Sequence, residues 1–147
     1  MINLQSKIKP SFTLIELIVV ITIIAVLVAI ASVAYGGAQK NSRDARRIED
    51  LNAIQKAMEL AFDQGGGESY PTTVSALLGT GTLSIWPSDP KTNSGYALTP
   101  TSPPSPPGYC VCTLLEARKN GNSTAYNCSS FTSDPSLGTY YCVKNQQ

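Results

Sequence analysis

A run of apolar side chains too long for an ordinary small core constrains this chain more than any other feature. Lys9-Pro10-Ser11-Phe12-Thr13-Leu14-Ile15-Glu16 leads directly into Leu17-Ile18-Val19-Val20-Ile21-Thr22-Ile23-Ile24-Ala25-Val26-Leu27-Val28-Ala29-Ile30-Ala31. From Leu17 to Tyr35 the only polar side chains before the tyrosine hydroxyl are Thr22 and Ser32. As a helix of about 19 residues at roughly 1.5 Å each, the run reaches about 29 Å, enough to cross the hydrocarbon of a bilayer. Glu16 is out of place there. A carboxylate inside a membrane span costs about 2.5–3.5 kcal/mol on insertion scales, so such a residue normally has a partner.

An ordinary signal peptide has a shorter apolar stretch followed by its small-residue cleavage site. Here the run is longer and the small residue, Ser11, precedes it. A signal anchor fits the length but leaves Phe12 and Glu16 unexplained. The basic leader with Lys7 and Lys9, the small residue, the Phe-Thr-Leu-Ile-Glu start and the apolar helix together resemble the class III signal of type IV prepilins and pseudopilins. Ser11 stands where that family usually has Gly, and it is small enough for a prepilin peptidase to accept. The resemblance is closest over about residues 7–35, visible to about residue 96, and beyond that one of layout. It implies cleavage between Ser11 and Phe12, N-methylation of the new Phe12 amine, and polymerisation through the N-terminal helix. Such a cut would leave a free amine at Phe12, four residues from Glu16. In low dielectric the carboxylate should act in assembly, neutralising the Phe12 amine of a neighbouring subunit and setting axial register, the alternative being that Glu16 snorkels to the headgroups.

Composition bounds the remainder. With an 11-residue leader and a membrane span set aside, about 110 of the 147 residues are left, one small domain. The formal net charge is +1, and removing Lys7 and Lys9 with the leader makes it −1, so no strong field exists for nucleic acid or acidic lipid. The same two lysines predict a cytoplasmic N-terminus and a translocated C-terminus. The chain contains no histidine, which removes the commonest general base and any His-based nucleophile pair or metal site. Nothing else carries an enzymatic reading, and no cofactor is expected.

Cys110, Cys112, Cys128 and Cys142 all lie in the last 38 residues. An even number at the translocated end reads as disulfides. A zinc site of four thiolates would more usually show two Cys-x(2–4)-Cys knuckles, which are absent, so no metal is expected. Two apart in a β-prone run, Cys110 and Cys112 face one side of a strand and each should bond to Cys128 or Cys142, with Cys112–Cys128 the preferred pair.

Beyond the span, Gly36-Gly37 weakens the helix, either as a tolerated turn or as a place that bends or melts when subunits pack. Ile48, Leu51, Ile54, Met58, Ala61 and Phe62 then form an apolar stripe, with Arg46, Arg47, Glu49, Asp50, Lys56, Glu59 and Asp63 on the other faces. Arg46–Asp50 and Lys56–Glu59 have the spacing of ion pairs. The cluster Arg43, Asp44, Arg46, Arg47 reads as a solvated face, and the resemblance adds ion pairs between neighbouring helices. Gly65-Gly66-Gly67 ends an element of about 50 residues.

The tail reads as a head built on a sheet. A short helix capped by Thr72 or Thr73 should pack Ala76, Leu77 and Leu78 inward. The Pro87-Ser88-Asp89-Pro90…Asn93…Tyr96 loop should be stiff and enter a strand at Tyr96. This loop resembles one that helps bind calcium in some secretion pseudopilins, but Asp89 is its only carboxylate and calcium wants about six or more oxygens. Pro100–Gly108 reads as a polyproline connection, Tyr109–Leu115, Ser123–Tyr126 and Thr139–Val143 as strands, and 116–122 as a turn. Asn122-Ser123-Thr124 and Asn127-Cys128-Ser129 match the glycosylation triplet.

The expected fold is α+β: leader 1–11, membrane half 12–35, amphipathic half 36–64, and a head 65–147 with an antiparallel sheet of three or four strands. The implied function is structural, a subunit of a type IV pilus-like surface filament. Its partners would be a prepilin peptidase, identical or related subunits, the assembly machinery, and lipid before assembly. Two alternatives are a type II secretion pseudopilin and a minor pilin that binds DNA or a surface. Arg118, Lys119 and Lys144 are sparse for nucleic acid.

Overall fold

In the computed structural model, the apolar and amphipathic stretches are one hydrogen-bonded helix, α1 (Leu14–Gln64, 51 residues). Residues 12–101, 108–117, 120–132 and 138–146 are described. The leader with Ser11, the middle of the proline-rich connection, and Arg118 and Lys119 lie outside them. The chain divides into two compact units, Met1–Gly37 and Ala38–Gln147. Helical bonding continues through Gly36 and Gly37, and a Cβ at either would meet nothing within 4 Å. Among the described residues, no packing therefore requires glycine at either position.

In the first unit the apolar side chains face outward: Phe12, Leu17, Ile24, Leu27 and Ile30 are all more than half exposed. The two hydroxyls of the run are satisfied within the helix. Thr22 Oγ1 donates to the Val19 carbonyl and Ser32 Oγ to the Val28 carbonyl, each at 2.8 Å. Internal satisfaction of this kind is what hydrocarbon demands, because no water is present to take the bond. The helix is long and apolar enough to cross a membrane.

In the second unit the predicted stripe is the core. Leu51, Ile54 and Met58 are fully buried, joined by Ala57, Ala61 and Phe62, while Ile48 is only half-buried. They pack against Tyr70, Leu77, Tyr96, Tyr109, Val111 and Val143. After α1 the chain passes through Gly66 and Gly67, at φ +81° and +76°, a left-handed conformation that glycine adopts without steric cost.

Helix α2 (Val74–Gly79) is capped by Thr73, whose side chain accepts from the Ala76 N–H. Of the three residues expected inward, Leu77 is fully buried, Leu78 half-buried and Ala76 exposed. Successive helical residues point about 100° apart, so three in a row cannot share a face. Thr73→Ala is expected to cost about 1 kcal/mol by urea unfolding, with Thr73→Ser close to wild type.

The sheet has three antiparallel strands in the order β1 (Leu98–Thr101), β2 (Gly108–Leu114), β3 (Tyr140–Lys144). The first strand begins at Leu98, not Tyr96, because the preceding loop first closes on itself through a Ser88–Gly95 bridge and the Trp86 indole N–H donates to the Tyr96 carbonyl. Ser123–Tyr126 forms no strand: Ser123 makes isolated bridges to Phe131 and Tyr140, and its hydroxyl is turned into the local loop. Gly121 and Gly138 approach so closely that a Cβ on either would run into the other's backbone.

The preferred cysteine pairing is corrected by the register. Cys112 stands directly opposite Cys142 across β2 and β3, with Cα atoms 4.1 Å apart, and these two are bonded. Cys110, one pleat along, is bonded to Cys128 from the following loop. Cys110 and Cys112 do share one side of β2, as their spacing requires. The Asn122 amide is used internally, donating to the Cys142 carbonyl and accepting from the Cys142 N–H.

Candidate functional site

Helix α1 starts with a reciprocal cap. Glu16 Oε2 accepts from the Thr13 N–H at 2.9 Å and from the Thr13 hydroxyl at 2.7 Å, while Thr13 Oγ1 accepts from the Glu16 N–H at 3.4 Å. This is a capping box, in which a Thr and a Glu three residues on satisfy donors that the first turn leaves open. The carboxylate also sits in the first turn, at the positive end of the helix dipole. Phe12 and Leu14, on either side of Thr13, are 81% and 76% exposed. Within the chain, then, Glu16 is held by its own Thr13. Sequence reasoning missed Thr13, although Thr-x-x-Glu ahead of an apolar run is a legible signal.

A second polar constellation lies at the base of the second unit. Arg47, read as surface, is only 3% exposed, and Asp44 5%. The Arg47 guanidinium forks onto both oxygens of Asp89 and reaches Asp44 Oδ1 at 2.8 Å and Glu116 Oε1 at 3.0 Å. Arg43 forks onto Glu116 with two bonds of 2.8 Å, and Lys91 Nζ adds a third cation at 3.3 Å. Asp44 in turn accepts from the backbone N–H groups of Glu116 and Ala117 at 2.9 and 2.8 Å. Three cations thus face three carboxylates, and one face of α1 fastens both the Asp89 loop and the Glu116 turn.

The electrostatics follow. The Arg47 fork holds the Asp89 carboxyl far below the usual carboxylate range, with help from the Thr92 and Lys91 N–H groups. Glu116 is pulled down to about 2, chiefly by its bond with Arg43. The Arg47 guanidinium is pushed up by Asp89 first and Asp44 next. With both Asp89 oxygens engaged, the loop closes around a guanidinium as other loops close around a metal ion. The spacing 44, 47, 51, 54, 58 alternates by three and four, so the buried stripe simply continues into charged residues. That continuation was the available signal.

Two other acids of α1 serve tyrosines. Asp50 accepts from the Tyr96 hydroxyl at 3.0 Å, and Glu59 from Tyr70 and Tyr109 at 2.8 and 3.2 Å. Burial first, and the adjacent carboxylates next, push all three phenols above their ordinary range. These contacts replace the expected Arg46–Asp50 and Lys56–Glu59 pairs, since a buried hydroxyl needs an acceptor more than an exposed cation does.

All four cysteine sulfurs are in disulfides. Lys144 lies over the Phe131 ring, 5.0 Å from its centroid. Among the described residues these polar groups form a helix cap, a structural clasp and two crosslinks.

A family model described as the prokaryotic N-terminal methylation motif matches residues 10–32, the segment that includes Phe12, the capping box and the apolar run. No curated protein and no solved structure matches the chain. The chain therefore carries the prokaryotic N-terminal methylation motif, the class III prepilin signal of type IV pilins and pseudopilins.

Proposed function

We propose that this protein is a structural subunit of a type IV pilus-like surface filament, held in the membrane as a prepilin and polymerised through α1. The observation that carries the reading is the methylation motif at 10–32 leading into a helix whose apolar side chains are uncovered among the described residues. A helix of this kind exchanges lipid for protein contacts of similar apolarity when subunits bundle, so extraction from the membrane need not expose it to water. The charged leader remains cytoplasmic and the head is translocated. The head, with its core on one stripe of α1 and two disulfides at the C-terminal end, forms the coat of the filament. Prepilin peptidase and identical or related subunits are the partners. The work is mechanical and involves no catalysis by this chain.

Processing is the first test. Cleavage between Ser11 and Phe12 with methylation of the new amine should give a membrane-extracted chain that begins at N-methyl-Phe12. Intact mass and N-terminal sequencing read this directly. A chain still beginning at Met1 in a host with an active prepilin peptidase overturns the proposal. Filaments sheared from the surface should then contain this chain. Its confinement to the envelope of a secreting cell would instead mark it as a secretion pseudopilin.

A further inference from the structure

A cavity is lined by both cysteines of the Cys110–Cys128 bridge and by one, Cys112, of the other. A space of about 400 Å³ is bounded by Cys110, Cys112, Cys128, Tyr126, Asn127 and Lys144, among others. Its volume falls within the range of small-molecule pockets. The four cysteine residues differ in exposure: Cys142, Cys112 and Cys110 are 1%, 3% and 7% exposed, whereas Cys128 is only half-buried. Cys128 is therefore the cysteine most open to an incoming nucleophile. Exposed Lys144 on the same wall brings a positive charge that favours an anionic visitor, and Tyr126 with Asn127 supplies an aromatic ring and an amide suited to a peptide-like one.

We propose that this cavity is a thiol-exchange site, taking a small anionic peptide thiol that attacks Cys128. The thiolate sulfur bonds to Cys128 Sγ, the Cys110–Cys128 bond breaks, and Cys110 leaves as a thiolate with the electron pair. One disulfide is consumed and one formed, so the step needs no external oxidant or reductant. The reaction reverses when Cys110 attacks the adduct. The second bridge is next in line, since Cys110 Sγ stands 3.7 Å from Cys112 Sγ. Cys112–Cys142 lies deeper in the fold, joining directly opposed residues of β2 and β3. Exchange rates follow access to the sulfur under attack as well as the reactivity of the thiolate. The head thus has one exchangeable bridge and one protected bridge.

The test uses the full oxidised chain in detergent, exposed to reduced glutathione, quenched in acid, alkylated and mapped by mass. The first product should carry glutathione on Cys128 and the alkyl label on Cys110, formed about tenfold or more faster than any opening of Cys112–Cys142. Lys144→Gln should slow glutathione several-fold while leaving neutral 2-mercaptoethanol unchanged. A first adduct on Cys110, a first label on Cys112 or Cys142, or both bridges opening at one rate overturns the proposal. Equal effects of Lys144→Gln on both thiols overturn the preference for an anion.

Discussion

Replacing Arg47 by alanine is expected to destabilise the head by about 3–5 kcal/mol, because it leaves Asp44, Asp89 and Glu116 converging on an empty centre. Urea unfolding of the full chain in detergent measures this. Arg46→Ala, one residue away on the exposed face, should change stability by less than about 0.5 kcal/mol. Arg47→Lys should recover only part of the loss, since one ammonium cannot reproduce a fork onto Asp89 together with contacts to two further carboxylates. Acid separates the variants further. Asp89 and Glu116 have folded pKa values below their unfolded ones, so their contribution is fully present above the ordinary carboxylate range. It is lost as pH falls from about 4.5 toward about 2 in the case of Glu116. In Arg47→Ala the sign reverses for Asp89, which loses its guanidinium, while Glu116 keeps Arg43 and Lys91; lowering pH from 7 to about 5 should stabilise that variant while leaving wild type nearly flat. A loss below about 1 kcal/mol, or parallel acid profiles, would show that the guanidinium is not the centre of the clasp.

The clasp also shows where sequence reading stops. The stripe from Leu51 to Phe62 was legible because apolar residues at helical spacing have one economical use, and the core they form was anticipated. Arg47 and Asp44 continue the same spacing, yet their chemistry reads as surface until partners from residues 89 and 116 come into place. Those partners are 42 and 69 positions along the chain from Arg47, set by tertiary contact and invisible to local periodicity. The sulfurs teach a similar lesson. That Cys110 and Cys112 share a face follows from the pleat. Which of them meets Cys142 depends on the β2–β3 register, and a one-residue slip would have exchanged the faces. Thr13 is the opposite case, a fully local signal that was overshadowed by the family motif in which it is embedded.

Glu16 should matter most to assembly. The proposed cleavage after Ser11 would create an amine at Phe12, and a positive amine near a carboxylate in a low-dielectric surround is a strong attraction. We expect Glu16 to neutralise the Phe12 amine of an adjacent subunit, setting the axial register of the bundle. Thr13 bonds only one of the two carboxylate oxygens, Oε2, so the cap does not exhaust the acceptor capacity of the group. Losing a buried pair of about 3 kcal/mol per contact lowers an association constant by about a hundredfold, enough to abolish filaments at ordinary subunit levels. Glu16→Ala should accordingly insert and be cleaved but assemble poorly, or only alongside wild-type subunits. That variant alone cannot separate pairing from capping, because alanine removes both. Glu16→Gln does separate them: glutamine serves the capping box as well as glutamate but carries no charge. Thr13→Val is the complement, removing the hydroxyl of the cap at a cost of about 1 kcal/mol while keeping the carboxylate. If charge pairing sets the register, Glu16→Gln fails to build filaments and Thr13→Val builds them at reduced yield. If Glu16→Gln assembles at the wild-type rate, Glu16 is a helix cap, and register must be set by the apolar faces of the bundle.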